Sequence, residues 1–205
     1  IDYRTPKTLK DNHEEYEFLK ELNADLAIVC AYGQIIPENF LNLTKKGFVN
    51  IHASILPSWR GAAPIQRSIM NLDPETGISI MKIKKELDSG PVSNIYKIKI
   101  DQNQNAQEIS EKLSALAAEK ILDNVDDILE DKAKFIDQDH SKATYAKKID
   151  KEESRIDWDE DASKIIGKIN GLFPSPGASF SFNGERYKIL KAEIGNGIGQ
   201  VGEII

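Results

Sequence analysis

Asn50 and His52 stand two residues apart, where the apolar run Gly47-Phe48-Val49 gives way to the stretch Ala53-Ser54-Ile55-Leu56-Pro57-Ser58-Trp59-Arg60-Gly61. On a strand, residues i and i+2 project to one face, so a carboxamide and an imidazole would sit side by side. In open α/β sheets, ligands bind beyond the carboxyl ends of the strands. A carboxamide offers two N–H donors, and a protonated imidazole donates from both nitrogens. Together they could hold the oxyanion that forms when a carbonyl becomes tetrahedral, and losing one such donor typically costs about 3 kcal/mol of barrier. On the dyad alone the plainer reading comes first, an Asn and a His making structural hydrogen bonds at a strand end. Asp88 shifts that balance. It follows a strand that could neighbour the His52 strand, in the turn Leu87-Asp88-Ser89-Gly90-Pro91, which would bring both sites to one carboxyl edge. A carboxylate beside His52 favours the imidazolium and could accept a proton, directly or through water. Alone, Asp before Ser-Gly is ordinary turn chemistry.

Other chemistries find little support. His13, His52 and His140 show no ligand spacing, and Cys30 is the one cysteine, so no metal site is expected. There is no serine nucleophile elbow and no G-x-x-x-x-G-K-[ST] phosphate loop. Gly195, Gly197, Gly199 and Gly202 punctuate a loop. Cys30, inside the apolar run Leu26–Ala31, reads as a buried small hydrophobe. It cannot form an internal disulfide, which fits a reducing, cytoplasmic setting. No apolar run approaches the ~20 residues that span a bilayer, so no membrane association is expected. The net charge of −6 over 205 residues argues, by itself, against a nucleic-acid partner. Basic residues do cluster at Lys142, Lys147, Lys148 and Lys151, but acidic neighbours interleave with them, as on a solvated mixed surface.

The elements that would position the dyad follow from periodicity. Asn12 and Glu15 have capping-box spacing ahead of Tyr16, Leu19 and Leu22, predicting a helix that ends near Asn23. Leu26–Ala31 reads as a central strand buried on both faces. Pro37 opens a short helix; strand 47–53, helix 64–71, strand 77–84 and strand 92–100 follow. This alternation implies an α/β, Rossmann-like, largely parallel sheet. Asn105 and Glu108 cap a long helix whose stripe is Ile109, Leu113, Leu116, Ala117, Ile121, Val125 and Ile128, placed to cover one sheet face. The polar, irregular residues that follow read as a linker. Beyond it, a helix at 161–171, a hairpin about Asn183-Gly184 and a final strand at Glu203-Ile204-Ile205 predict the start of a second domain. The expected division is residues 1–130, a linker at 131–150, and 151–205.

The stretch from Asn50 to Pro57, together with Asp88-Ser89-Gly90-Pro91, resembles the 10-formyltetrahydrofolate-dependent formyltransferases. The extension Trp59–Arg67 is similar to the narrower group that formylates the amine of methionyl initiator tRNA. So are Ala31–Pro37, Thr144-Tyr145-Ala146, Lys151-Glu152-Glu153 and Arg155–Trp158. The resemblance implies a catalytic set of Asn50, His52 and Asp88, a tetrahydrofolate-binding segment of Ser54, Ile55, Leu56 and Pro57, and a monomer using 10-formyltetrahydrofolate as formyl donor without a metal. It implies a truncated OB-like β-barrel after the linker. It also implies a chain lacking the family's opening strands and basic loop, and with them part of its stability and activity. Phe173-Pro174-Ser175-Pro176 lacks the aromatic that usually stands between the prolines, and Asn170-Gly171 replaces a common basic residue. Two alternatives stay open: a related enzyme that acts on a small amine or hydrolyses the formyl group, and a non-catalytic folate- or nucleotide-binding module.

Overall fold

The computed structural model describes residues 3–195, 197 and 199–201. The strand expected at Glu203-Ile204-Ile205 lies outside the described residues. Helix α1 (His13–Glu21) begins where predicted, with the Asn12 side chain accepting from the Glu15 N–H. The reciprocal half of the capping box is absent, because Arg4 Nε donates to both Glu15 carboxylate oxygens at 2.8 and 3.0 Å.

Four strands form the central sheet in the order β1 (Ala27–Cys30), β2 (Phe48–His52), β4 (Glu75–Lys82), β5 (Val92–Lys99). The α/β class holds, and the sheet is mixed. β1 and β2 are parallel, whereas β2–β4 and β4–β5 are antiparallel. The reason at β4–β5 is chain length. The nine residues at 83–91 are shorter than the dozen or more that a parallel crossover needs. β1 differs from its expected place as a doubly buried central strand. Among the described strands it pairs with β2 alone, so Ile28 is 48% exposed. Cys30 is likewise exposed rather than buried.

Helix α4 (Ala106–Leu129) carries the complete Asn105–Glu108 capping box. Its Ala106, Ile109, Leu113 and Ala117 pack with Ile51 of β2, Ile78 of β4 and Ile69 of α3 (Pro64–Met70). Ile128 closes the same layer against Val49 and Ile80. Each fully buried Ile or Leu here stabilises the fold by about 1.5–3 kcal/mol. The predicted stripe is therefore the core of the molecule, and it fixes the face of β2 that points away from Asn50 and His52.

Short pieces connect this core to the rest: α2 (Glu38–Leu41), β3 (Arg60–Gly61), β6 (Tyr145–Ala146) and two 3₁₀ turns at His140–Lys142 and Lys151–Ser154. Helix α5 (Ala162–Leu172) packs on α3. At Gly171 a Cβ would lie 2.6 Å from Met70 Cγ and 2.9 Å from the Gln66 carbonyl oxygen, so the two backbones approach too closely for any side chain. Ile169 and Leu172 of α5 join Ile156 and Ala178 in a second small core. β7 (Ser179–Phe182) and β8 (Glu185–Lys188) form the hairpin about Asn183-Gly184. A single bridge, Arg155 to Ser179, extends it, and no barrel closes among the described residues.

Candidate active site

Asn50 and His52 do share a face of β2. Their cross-strand partners on β4 are Met81 and Ser79, and beneath them Leu56, Met81 and Val92 form a small apolar floor. Asn50 is half-buried, and its Cα lies one strand repeat, roughly 6.6 Å, from that of His52. His52 is 6% exposed. Its Nε2 lies 2.9 Å from the Trp59 carbonyl oxygen. A carbonyl can only accept, so Nε2 carries a proton and Nδ1 is left as the variable nitrogen. Nδ1 faces Asp88 Oδ2 at 3.6 Å, within ion-pairing range and too long for a hydrogen bond.

Asp88 reaches His52 by a route the sequence did not suggest. β4 is antiparallel to β2, so its carboxyl end pairs Lys82 with Val49, at the amino end of β2. The two residues therefore do not share a carboxyl edge. The 83–91 excursion instead folds back over the sheet and returns the carboxylate to the imidazole. Asp88 adopts φ +46°, the left-handed region that non-glycine residues rarely occupy. Its Oδ2 accepts from the Gly61 N–H at 2.9 Å.

The segment Ser54–Pro57 is pinned from inside the sheet. Ser79 Oγ donates to the Ser54 carbonyl at 2.7 Å and accepts from the Leu56 N–H at 3.1 Å. Ser54 Oγ is committed to the Ser58 carbonyl at 2.6 Å. Ser54 and Leu56 are buried, while Ile55 and Pro57 are half-buried at the surface of the site. A ligand here would meet Ile55, Pro57 and backbone rather than the Ser54 hydroxyl.

Several residues that sequence reasoning did not assign to the site hold it together. Trp59, also left-handed at φ +61°, donates its N–H to Thr144 Oγ1 at 2.9 Å and its indole Nε1–H to Asp73 Oδ2 at 2.7 Å. Arg60 and Gly61 pair in parallel with Tyr145 and Ala146. At Gly61, φ is +123° and a Cβ would come 2.7 Å from the Ala146 carbonyl oxygen, so only glycine fits. Arg60, 3% exposed, donates from Nε and Nη2 to Gln138 Oε1 at 3.1 and 2.7 Å. Gln138 Nε2 in turn donates to the carbonyls of Asp88 and Gly90 at 2.9 and 2.7 Å. Gln138 and Thr144 lie in the polar stretch that reads as a linker. A lone Gln or Thr there carries no periodicity, and only the fold reveals its partners.

Farther out, Arg67 of α3 forks onto Glu153 at 2.5 and 2.9 Å. Those hydrogen bonds hold the Glu153 carboxyl below the usual carboxylate range. The pair lines an open depression of about 350 Å³ with Tyr145, Lys147, Lys148 and Asp150. Among the described residues no group of three or more His, Cys, Asp or Glu could hold a metal ion, and no helix is long and apolar enough to cross a membrane.

Known proteins match this arrangement along the chain. Residues 3–125 match the formyl transferase family, and residues 148–205 match the formyl transferase C-terminal domain. A methionyl-tRNA formyltransferase of Pelagibacter ubique is 66% identical over 205 residues, covering 100% of this chain and 66% of that protein. One from Dictyoglomus turgidum is 46% identical over 188 residues, covering 92% of this chain and 60% of its own length. The chain thus spans two thirds or less of these relatives. The crystal structure of HypX from Aquifex aeolicus in complex with tetrahydrofolic acid superposes with a TM-score of 0.78 at 20% identity, over 96% of this chain and 34% of that one, a likeness of fold. With more than half of its length matched to one family, and the buried imidazole and its carboxylate inside the matched region, this chain belongs to the formyl transferase family.

Proposed function

We propose that the chain carries the reaction centre of an enzyme that transfers a formyl group from 10-formyltetrahydrofolate to the amine of methionyl initiator tRNA. The observation that carries the chemistry is the pairing of a buried His52 with Asp88, beside Asn50 on the same strand face. The names of the relatives above support the acceptor.

In this reading the methionyl amine attacks the formyl carbon, forming a new C–N bond and placing negative charge on the formyl oxygen. Asn50 donates to that oxygen from its carboxamide. His52 is tethered through Nε2 to the Trp59 carbonyl, which leaves Nδ1 as the working nitrogen. Its separation of 3.6 Å from Asp88 leaves an Nδ1–H uncommitted and available to a substrate oxygen, with the carboxylate beside it stabilising the charge. Asp88 helps to take the amine proton. Collapse breaks the bond from the formyl carbon to N10, and the proton ends on N10. The remaining acceleration comes from holding two substrates in line.

Ser54–Pro57 form the folate-facing turn, through Ile55, Pro57 and the backbone. Residues 1–130 form the catalytic unit, 131–150 the connection, and 151–205 part of an OB-like C-terminal domain. The protein acts as a cytoplasmic monomer, with methionyl initiator tRNA and the folate as its partners. The test is formyl transfer by the intact enzyme, with charged initiator tRNA compared against nucleotide- and sugar-linked amines. Asn50→Ala and His52→Ala should each lower kcat about 10²–10³-fold on the tRNA. Parental rates in both variants, or transfer to the small amines alone, would overturn the proposal.

A further inference from the structure

We propose that Gln138 is a positioning residue for this reaction centre, holding Asp88 against His52 through a clamp shared with Arg60. The inference rests on the catalytic reading of Asn50, His52 and Asp88 given above.

Gln138 is 9% exposed, and its whole amide is used. Two carbonyls, those of Asp88 and Gly90, take its N–H donors. One guanidinium, that of Arg60, takes its oxygen twice. Carbonyls only accept and guanidinium only donates, so chemistry allows one orientation of the amide. The loops it joins are the two that hold the site. Arg60 stands between Trp59, whose carbonyl binds His52, and Gly61, whose N–H binds the Asp88 carboxylate. The far end of the clamp is the backbone of Asp88 itself, in its left-handed conformation. A non-glycine residue stays there only when its surroundings over-determine it. Gln138 supplies that constraint from outside the turn, and the 3.6 Å geometry at His52 depends on it.

No other side chain of similar size performs both tasks. Glutamate keeps an acceptor for Arg60 but turns a second carboxylate oxygen onto two carbonyls. Methionine fills the space and pairs with neither.

In the intact enzyme, formyl transfer to methionyl initiator tRNA is compared for the parent, Gln138→Glu, Gln138→Met, Arg60→Lys, Asp88→Asn, and the double variant Asp88→Asn/Gln138→Glu. Each Gln138 variant should lose about 10²-fold in kcat, the scale of a small misplacement of a catalytic group. KM for folate and for tRNA should stay within about threefold of the parent, since positioning of Asp88 affects the transition state rather than ground-state binding. The double variant should be no slower than Asp88→Asn alone, because the clamp acts through Asp88. Arg60→Lys reads the same clamp from its other end should a Gln138 variant fail to fold, and should show the same loss in kcat. Parental kcat in the variants that fold, or losses that multiply in the double variant, would overturn the positioning role. Parental kcat in Asp88→Asn would instead overturn the catalytic reading of the site.

Discussion

His52 is defined by what its two nitrogens face. One peptide carbonyl fixes the proton on Nε2, and one carboxylate stands off Nδ1. A ring held this way cannot flip without losing the Trp59 contact, so Nδ1 stays the nitrogen turned to Asp88. Ser79 does similar work for the neighbouring turn. It is fully buried, and one hydroxyl satisfies both the Ser54 carbonyl and the Leu56 N–H. Ser79→Ala strips both of their partner in a site too tight to solvate them. It should cost about 1–3 kcal/mol in equilibrium urea unfolding and raise KM for the folate. A cost under about 0.5 kcal/mol, the scatter of ordinary surface substitutions, would show that the turn does not depend on this hydroxyl.

The decisive relation between elements is α3 against α5. α3 starts three residues after Gly61 and carries Arg67, while α5 brings Gly167 and Gly171 onto it. Asn170 adds a hydrogen bond from Nδ2 to the Gln102 carbonyl at 2.9 Å, just before α4. The C-terminal part is therefore seated on the same helix that follows the segment at 53–63. Gly171→Ala would put a Cβ 2.9 Å from the Gln66 carbonyl oxygen, and helix backbone cannot yield as a side chain does. We expect a loss of about 1–3 kcal/mol from overpacking, read as a lower urea midpoint. An unchanged midpoint would mean that the α3–α5 contact is looser than this geometry.

Across the whole molecule, the polar residues between α4 and α5 bind the two halves together more than they separate them. Thr144, Ala146 and Gln138 grip the segment at 57–63 from one side, and Glu153 grips α3 from the other. The Arg67–Glu153 pair makes part of that grip dependent on pH. The folded Glu153 carboxyl lies below its ordinary value because Arg67 donates to it. Its contribution is then fully present above the ordinary carboxylate pKa of about 4.3 and is lost as pH falls through the lower folded value. Glu153→Gln should lower stability by about 1 kcal/mol at neutral pH, with the gap to the parent closing at acid pH, below the ordinary carboxylate range. Urea unfolding of both proteins at the two pH values reads this directly. A gap of constant size would show that the pair contributes nothing through its charge.

The sequence by itself determined the elements and the chemical inventory. Local periodicity and capping are encoded within a few residues, so α4 with its Asn105–Glu108 box, the Asn183-Gly184 hairpin and the shared face of Asn50 and His52 were all readable from the chain. Asp88 could be suspected because Asp before Ser-Gly-Pro stood near the dyad's strand, yet the expected path to it was not the real one. Strand direction depends on pairing across the sheet, and the antiparallel β4 forces the 83–91 turn to double back. The exposure of β1 and Cys30 also depends on which neighbours lie beside the strand rather than on its own apolar run. Gln138, Arg60, Thr144 and Ser79 were invisible as site residues for the same reason. A hydrogen bond between residues 78 apart, as from Arg60 to Gln138, leaves no periodic trace in sequence. Tertiary structure alone brings that amide to the Asp88 turn, because only the completed fold sets the two loops side by side with donors facing acceptors.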